Sequence, residues 1–475
     1  MCRAKSSLIT ARGCDVVQPL PPSSSTLFRS FSGRFHAIRL AIRHHGGGEI
    51  LFWGICLFLL TTPFSFFLVG EDPSQSVVRN LASMRREASS QTLVYAIRFM
   101  VVMVTFIGAL MHWETLYRAL PRLWPAALFF LWAGFSIAWS DSPDSTWHSL
   151  LAASCALLSG FFISIRLPPY WLARALLLSG AIMGVMSLLW VFLFPVYGMH
   201  GAGDALQSVH AGSWRGVYRH KNHLGQISAM YAVAFAMANR TVVNPPILKW
   251  MGLALLIVLI VASHSASALA IVPIAVFITW LTLSLSGIKR ALAFFYAAII
   301  VIFSGLAINP VLQLLGRDTS LSGRTTIWTI AQEYIMRRPW NGYGYMSTTY
   351  GDFVFELFQR VNVLDPHNAY LDIILGTGFI GLALFLVAIG MGWQNARGII
   401  PVGGGYRYGV LVIGGAVAAW LLANFSESGA RPLAAVGGLG WACIGMLLAL
   451  PRKRTSGRRL SDGLRSPPPT SGRRN

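Results

Sequence analysis

Apolar runs long enough to cross a bilayer recur along most of this 475-residue chain, and no other feature restricts its fold as strongly. A membrane helix needs about 20 apolar residues to span a hydrocarbon core of about 30 Å. Runs of that kind lie near 50–69, 93–111, 123–139, 149–165, 172–195, 224–238, 247–262, 268–285, 291–308, 369–393, 408–424 and 433–450. Hydrophobic residues make up 55% of the chain and charged ones only 12%. The expectation is an all-α polytopic membrane protein of about twelve spans, with the membrane domain over 50–450.

The formal charge of +21 would suit nucleic acid if it covered a soluble domain. It does not: residues 1–45 carry seven Arg/Lys against one acid, and residues 451–475 eight against one. Positive residues gather on the cytoplasmic side of membrane proteins and face anionic lipid there. Both tails therefore read as cytoplasmic, membrane lipid is the partner expected of them, and no nucleic acid is expected. Arg118, Arg122, Arg166, Arg174, Arg240, Lys249, Lys289, Arg290, Arg397 and Arg407 fall on links of the same side, whereas SDSPDS at 140–145 falls on an external one.

Residues 1–26 are rich in Ser and Pro and read as disordered, as does the basic tail 451–475. Phe31, Phe35, Ile38 and Ile42 recur at helical spacing among arginines, which suits a helix lying on the inner leaflet. Glycines 46–48 then read as a hinge that closes a tail domain of 1–49. No cleavable leader is visible, and five cysteines without a CxxC motif indicate neither a disulfide framework nor a zinc site.

Two external segments, about 197–223 and 309–368, exceed what a connection needs, and long loops in compact domains are usually functional. The first ends in WRGVYRHKNHLG, which puts Arg215, Arg219, His220, Lys221 and His223 on the side that positive charge normally avoids. An anionic substrate such as a pyrophosphate accounts for that placement, because guanidinium forks match phosphate oxygens. A solvated loop touching headgroups is the plainer account, and a metal on His220 and His223 lacks a third ligand by spacing. The second segment contains Ser322 as a cap before a helix over Gly323–Arg337, with Ile327, Ala331 and Tyr334 on one face and Pro339 as its stop. A second, short amphipathic stretch follows around Phe353 and Phe358. Arg324 in a helix's first turn is electrostatically misplaced unless an anion binds there, although exposed arginines are common. Arg98, inside the second span, either joins that site or snorkels to the surface.

PHNAYLDIILGTGFIG at 366–381 puts His367 and Asn368 at the mouth of a long apolar helix, with Asp372 one turn inside on the face of Asn368. As architecture this is an N-terminal cap followed by a packing stripe of Gly376, Gly378 and Gly381. As chemistry it is a histidine held at the membrane boundary.

These blocks resemble the O-antigen ligases and the O-antigen and exopolysaccharide polymerases. That superfamily carries a signature of His, then Asn, Ser or Gln, nine residues, Gly, two residues, and Gly, Thr or Tyr. His367, Asn368, Gly378 and Gly381 fit it, and FSIAWSDSPDSTW, RGVYRHKNHLGQ and SGRTTIW…RRPWNGYGY precede it in the same order. The likeness covers roughly residues 90–450 and leans to the ExoQ-type exopolysaccharide polymerases. It implies a GT-C-like membrane enzyme, in the inner membrane, that takes a glycan from undecaprenyl pyrophosphate to a glycan acceptor with inversion and without metal or cofactor. By that resemblance His367 acts as base with Asn368 orienting it or the sugar. Arg215, Arg219, Arg324 and Lys221 hold the pyrophosphate, and Arg98, His220 and Asp372 are further candidates. A chain-length regulator and export machinery are implied partners. An O-antigen ligase using lipid A core differs in acceptor alone. A transporter is the remaining class, but the sequence shows neither paired halves nor broken helices.

Overall fold

The computed structural model describes residues 46–61, 81–202, 210–285, 287, 324–347, 352–361, 366–428, 430–431 and 435–451, without the side chains of 81–93, 324 and 325. The expected inner-leaflet helix at 28–43, the ninth span, the Ser322 cap and the basic tail beyond 451 lie outside those residues. The chain divides into two compact units, Met1–Glu49 and Ile50–Asn475, and the second is described below.

Among the described residues the fold is all-α, with one isolated bridge between Met199 and Trp214 and no strand. The helices are α1 (Gly46–Thr61), α2 (Leu81–Leu110), α3 (Trp113–Trp139, with 3-10 turns), α4 (Pro143–Arg166), α5 (Pro169–Leu193), α6 (Lys221–Met237), α7 (Pro246–Ala262) and α8 (Ala266–Ser284). Then come α9 (Arg324–Arg337), α10 (Asp352–Val361), α11 (Ala369–Ile399), α12 (Gly404–Ala423) and α13 (Ala435–Ala449). Among the described residues six helical segments, starting at Trp113, Pro143, Pro169, Ala266, Ala369 and Gly404, are long and apolar enough to cross a membrane. Four shorter apolar helices accompany them: Gly46–Thr61, Val94–Leu110, Pro246–Ala262 and Ala435–Ala449.

Three sequence expectations change. Glycines 46–48 form the first turn of α1 and not a hinge. The third span is longer than its apolar run, so Arg118 and Arg122 lie inside the helical segment Trp113–Trp139 and not on a link. Arg122 turns its guanidinium onto the Ala449 carbonyl at the end of α13. The helix expected as the sixth span starts at Lys221, because His220 accepts the Asn222 N–H through Nδ1 (3.1 Å) and so caps α6.

Small residues set the packing, as they do wherever lipid removes the hydrophobic drive between helices. Gly160 of α4 and Gly445 of α13 each face a backbone carbonyl of the other helix, Ala442 and Leu157 respectively, with no room for a side chain. Proline opens α4, α5 and α7, where its missing N–H costs nothing. Phe129, Phe385, Trp420 and Trp441 then fill the centre with rings 5.5–6.0 Å apart.

A break in α11 positions the functional face. Gly378 adopts φ 68° and ψ −175°, which interrupts the helical ladder. The chain from Pro339 to Gly344 docks into the gap. Tyr343 and Gly344 donate their N–H groups to the Leu375 and Gly376 carbonyls, and Phe379 donates to Pro339, all at 2.8 Å. Trp132 Nε1 donates to Thr377 at 2.8 Å. Every freed carbonyl from 375 to 377 is thus paired by protein, the condition for broken backbone at membrane depth. The expectation of unbroken helices is corrected here, and Gly376 and Gly378 serve a docked loop where a packing stripe was the plainer reading.

Candidate functional site

The head of α11 is pinned from three sides. Asn368 caps it, its Oδ1 accepting the Tyr370 and Leu371 N–H groups at 3.0 and 3.3 Å. Trp328 of α9 donates Nε1 to the Pro366 carbonyl at 3.2 Å. From the segment after α12, Asn424 accepts the Ala369 N–H at 2.8 Å, and Arg431 Nη2 lies 3.3 Å from Oδ1 of the fully buried Asp372. Losing the partly exposed Arg431 would leave the buried Asp372 carboxylate uncompensated, so Asp372 ties that segment to α11.

His367, between the Pro366 anchor and the Asn368 cap, has φ 47°, a left-handed conformation uncommon outside glycine. Its Nδ1 lies 3.0 Å from Oε2 of Glu427, whose other oxygen accepts the Asn222 side-chain amide at 2.7 Å. Glu427 is 9% exposed. One carboxylate therefore joins the head of α11 to the first turn of α6. An imidazole whose Nδ1–H is donated to a carboxylate presents Nε2 as a proton acceptor. Glu427 and Asn222 escape sequence reasoning, although an acid just past the apolar run 408–424 is a legible oddity in a chain with 17 acids.

The first long loop folds back on itself. His200 donates its N–H to Ser213 and accepts that of Gly212, at 2.9 and 2.8 Å. Its Nε2 accepts the Lys221 N–H at 3.1 Å. His200, His210, His220 and His223 gather with ring centroids 5.4–6.0 Å apart. Burial, then the neighbouring imidazoles and Lys221, pull His220 down to about 3, and burial lowers His210 as well. The cluster is edge-to-face, and among the described residues no group of three or more His, Cys, Asp or Glu is arranged to hold a metal ion.

Arg215, 2% exposed, sends Nε and Nη2 to the carbonyls of Tyr197 and Val196 at 2.9 and 2.8 Å, so its fork shapes the loop. Arg219 is partly exposed just before the His220 cap, and Lys221 reaches the His264 carbonyl at 3.3 Å. Arg324 starts α9, as the sequence suggests, while its side chain lies outside the described residues. Ile327, Ala331 and Tyr334 are buried on one face of α9, which packs on Leu371, Ile374 and Leu375 of α11 beside His367. Phe353 is buried in α10, whereas Phe358 is exposed. Arg98 is 3% exposed beside Gly438 of α13 and does not snorkel. Arg337 and Arg338 stack on Tyr334 and Tyr343, and Arg338 Nη1 also lies 3.4 Å from Asp141 Oδ1.

Comparison with known proteins agrees with the resemblance carried by the four sequence blocks. Residues 251–386, from α7 through the break in α11, match the family described as O-Antigen ligase. The chain is similar to the exopolysaccharide production protein ExoQ of Rhizobium meliloti, 27% identical over 295 residues, which cover 56% of this chain and 63% of that protein. It is similar to an O-antigen ligase of Pseudomonas aeruginosa, 27% identical over 303 residues, which cover 59% of this chain and 68% of that protein. The likeness to the O-antigen ligase family therefore rests on residues 251–386. The family match contains Arg324, His367 and Gly378 but neither Glu427 nor the Arg215–His223 loop.

Proposed function

We propose that this chain is a membrane glycosyltransferase that joins oligosaccharide repeat units carried on undecaprenyl pyrophosphate into an exopolysaccharide. The observation that carries the reading is His367 at the head of α11, its Nδ1 on Glu427, beside the loop that bears Arg219, His220 and Lys221. In this reaction His367 takes the proton of an acceptor sugar hydroxyl, whose oxygen bonds to the anomeric carbon of the donor with inversion. The bond from that carbon to the pyrophosphate breaks, and undecaprenyl pyrophosphate leaves with the electron pair. General-base assistance of this kind contributes about 10²–10⁴-fold. Arg219, Arg324 and Lys221 stabilise the leaving charge in place of a divalent cation, and Arg215 holds the loop of Arg219 and Lys221 through Val196 and Tyr197.

Chemistry belongs at the periplasmic face of a twelve-span inner-membrane protein with both tails cytoplasmic, in contact with a chain-length regulator and export machinery. Charge asymmetry supports that orientation. Cysteines placed at the exposed Ala211 and Gln359 are expected to label from outside, and labelling from the cytoplasm alone would sink it.

A ligase that transfers finished glycan to lipid A core is the second reading, because the O-antigen ligase relative matches as well as the ExoQ relative. Cells lacking the protein separate the two. Accumulated single lipid-linked repeats support the polymerase; full-length lipid-linked polymer with bare lipid A core supports the ligase. The transporter reading gains little from the break at Gly378, since the 339–344 loop docks there and pairs its freed carbonyls.

A further inference from the structure

The geometry points to Glu427 as a positioning residue that couples the base His367 to the cationic loop preceding α6, an inference that rests on the proposed role of His367. Three facts converge on it. Glu427 is almost wholly buried, yet both of its oxygens are used: Oε2 by His367 Nδ1 at 3.0 Å and Oε1 by the Asn222 amide at 2.7 Å. His367 sits in a left-handed backbone conformation, so its ring position depends on its surroundings and not on a helical ladder. Asn222 lies two residues beyond His220, which caps α6, and the His220 cap bond goes to the Asn222 N–H itself. Any displacement of the Arg215–His223 loop therefore moves Asn222, and with it the carboxylate that aims His367.

The carboxylate has two effects on the imidazole. It selects the tautomer with the proton on Nδ1, which leaves Nε2 as base, and it stabilises the imidazolium formed when the acceptor's proton arrives. Asn222 sets the carboxylate's direction by occupying its second oxygen. Donor held by the loop and base offered to the acceptor are in this way parts of one hydrogen-bonded unit that spans α6, the segment after α12, and α11.

The test uses the full chain in lipid nanodiscs with a lipid-linked repeat unit as donor, and records kcat and KM from pH 5 to 8. For Glu427→Gln the expected result is a kcat about a hundredfold lower with a donor KM within about twofold of wild type. Its acidic limb should move to lower pH, because an imidazolium without its carboxylate loses its proton more easily. Glu427→Asp should recover part of the rate. Asn222→Ala should cost about tenfold, and Asn222→Ala with Glu427→Gln should be no worse than Glu427→Gln alone, since the two act as one unit. A wild-type kcat and unmoved acidic limb in Glu427→Gln, or fully additive losses, would overturn the coupling. If Glu427→Gln does not accumulate, wild-type rates in both Glu427→Asp and Asn222→Ala overturn it instead. Activity of His367→Asn in the same assay would sink the underlying reading, whereas an inactive His367→Asn with an unimpaired Glu427→Gln would sink the coupling alone.

Discussion

The carbonyl of Trp340 fills the space that a side chain on Gly378 would need. Gly378 also holds φ 68° and ψ −175°, a region open essentially to glycine alone. Gly378→Ala is accordingly expected to lose about 2 kcal/mol or more, from backbone strain and from expulsion of the 339–344 loop. Gly390 provides the control, since a Cβ there meets nothing within 4 Å. Thermal unfolding in detergent should show a clear drop for Gly378→Ala and none for Gly390→Ala; equal behaviour would mean that the break is not built on Gly378.

Arg324 begins a helix whose Trp328 is bonded to Pro366, next to His367. Arg324→Lys keeps the charge but loses the two-pronged fork. With about 2–3 kcal/mol of charge-assisted bonding lost, transfer should slow roughly a hundredfold while the protein stays in the membrane. Normal polymer yield from this variant would return Arg324 to the surface arginines. Arg215→Lys should differ in kind: it lets go of the Val196 and Tyr197 carbonyls, so a lower unfolding temperature should accompany its lost activity.

Much of this is legible in the sequence. Uniform apolar runs mark where helices lie, because in lipid a continuous apolar segment has few alternatives to a helix. The face of α9 formed by Ile327, Ala331 and Tyr334 followed from spacing alone. What stayed hidden depends on which helices meet. Glu427 is 60 residues from His367 and 205 from Asn222, and nothing local announces either contact. His200 and His210 reach His220 only because the first long loop doubles back through the Met199–Trp214 bridge. Gly378 was ambiguous for a simpler reason: a glycine in an apolar run reads the same whether it packs a helix or breaks one.

His220 links acidity to the stability of that loop. Its folded-state value, pulled down to about 3, lies below the ordinary value of 6.5. An unfolded chain therefore binds a proton here that the folded chain refuses, and stability falls as pH drops from 6.5 toward 3. His220→Asn keeps a good helix cap and removes the titration. Its unfolding temperature is expected to fall less than that of the wild type between pH 7 and 5. Identical pH dependence in the two proteins would show that His220 is not the group responsible.

In the proposed reaction His367 is the base and Asn368 the cap. Asn368→Ala should cost about 1 kcal/mol of stability, and Asn368→Asp should restore the cap. His367→Asn tests the claim most directly, because asparagine at that position cannot take a proton near neutrality. Assayed in nanodiscs with a lipid-linked donor, His367→Asn is expected to unfold at the wild-type temperature and to transfer glycan at least about a hundredfold more slowly. Glycan transfer by the folded variant at close to the wild-type rate would contradict the account.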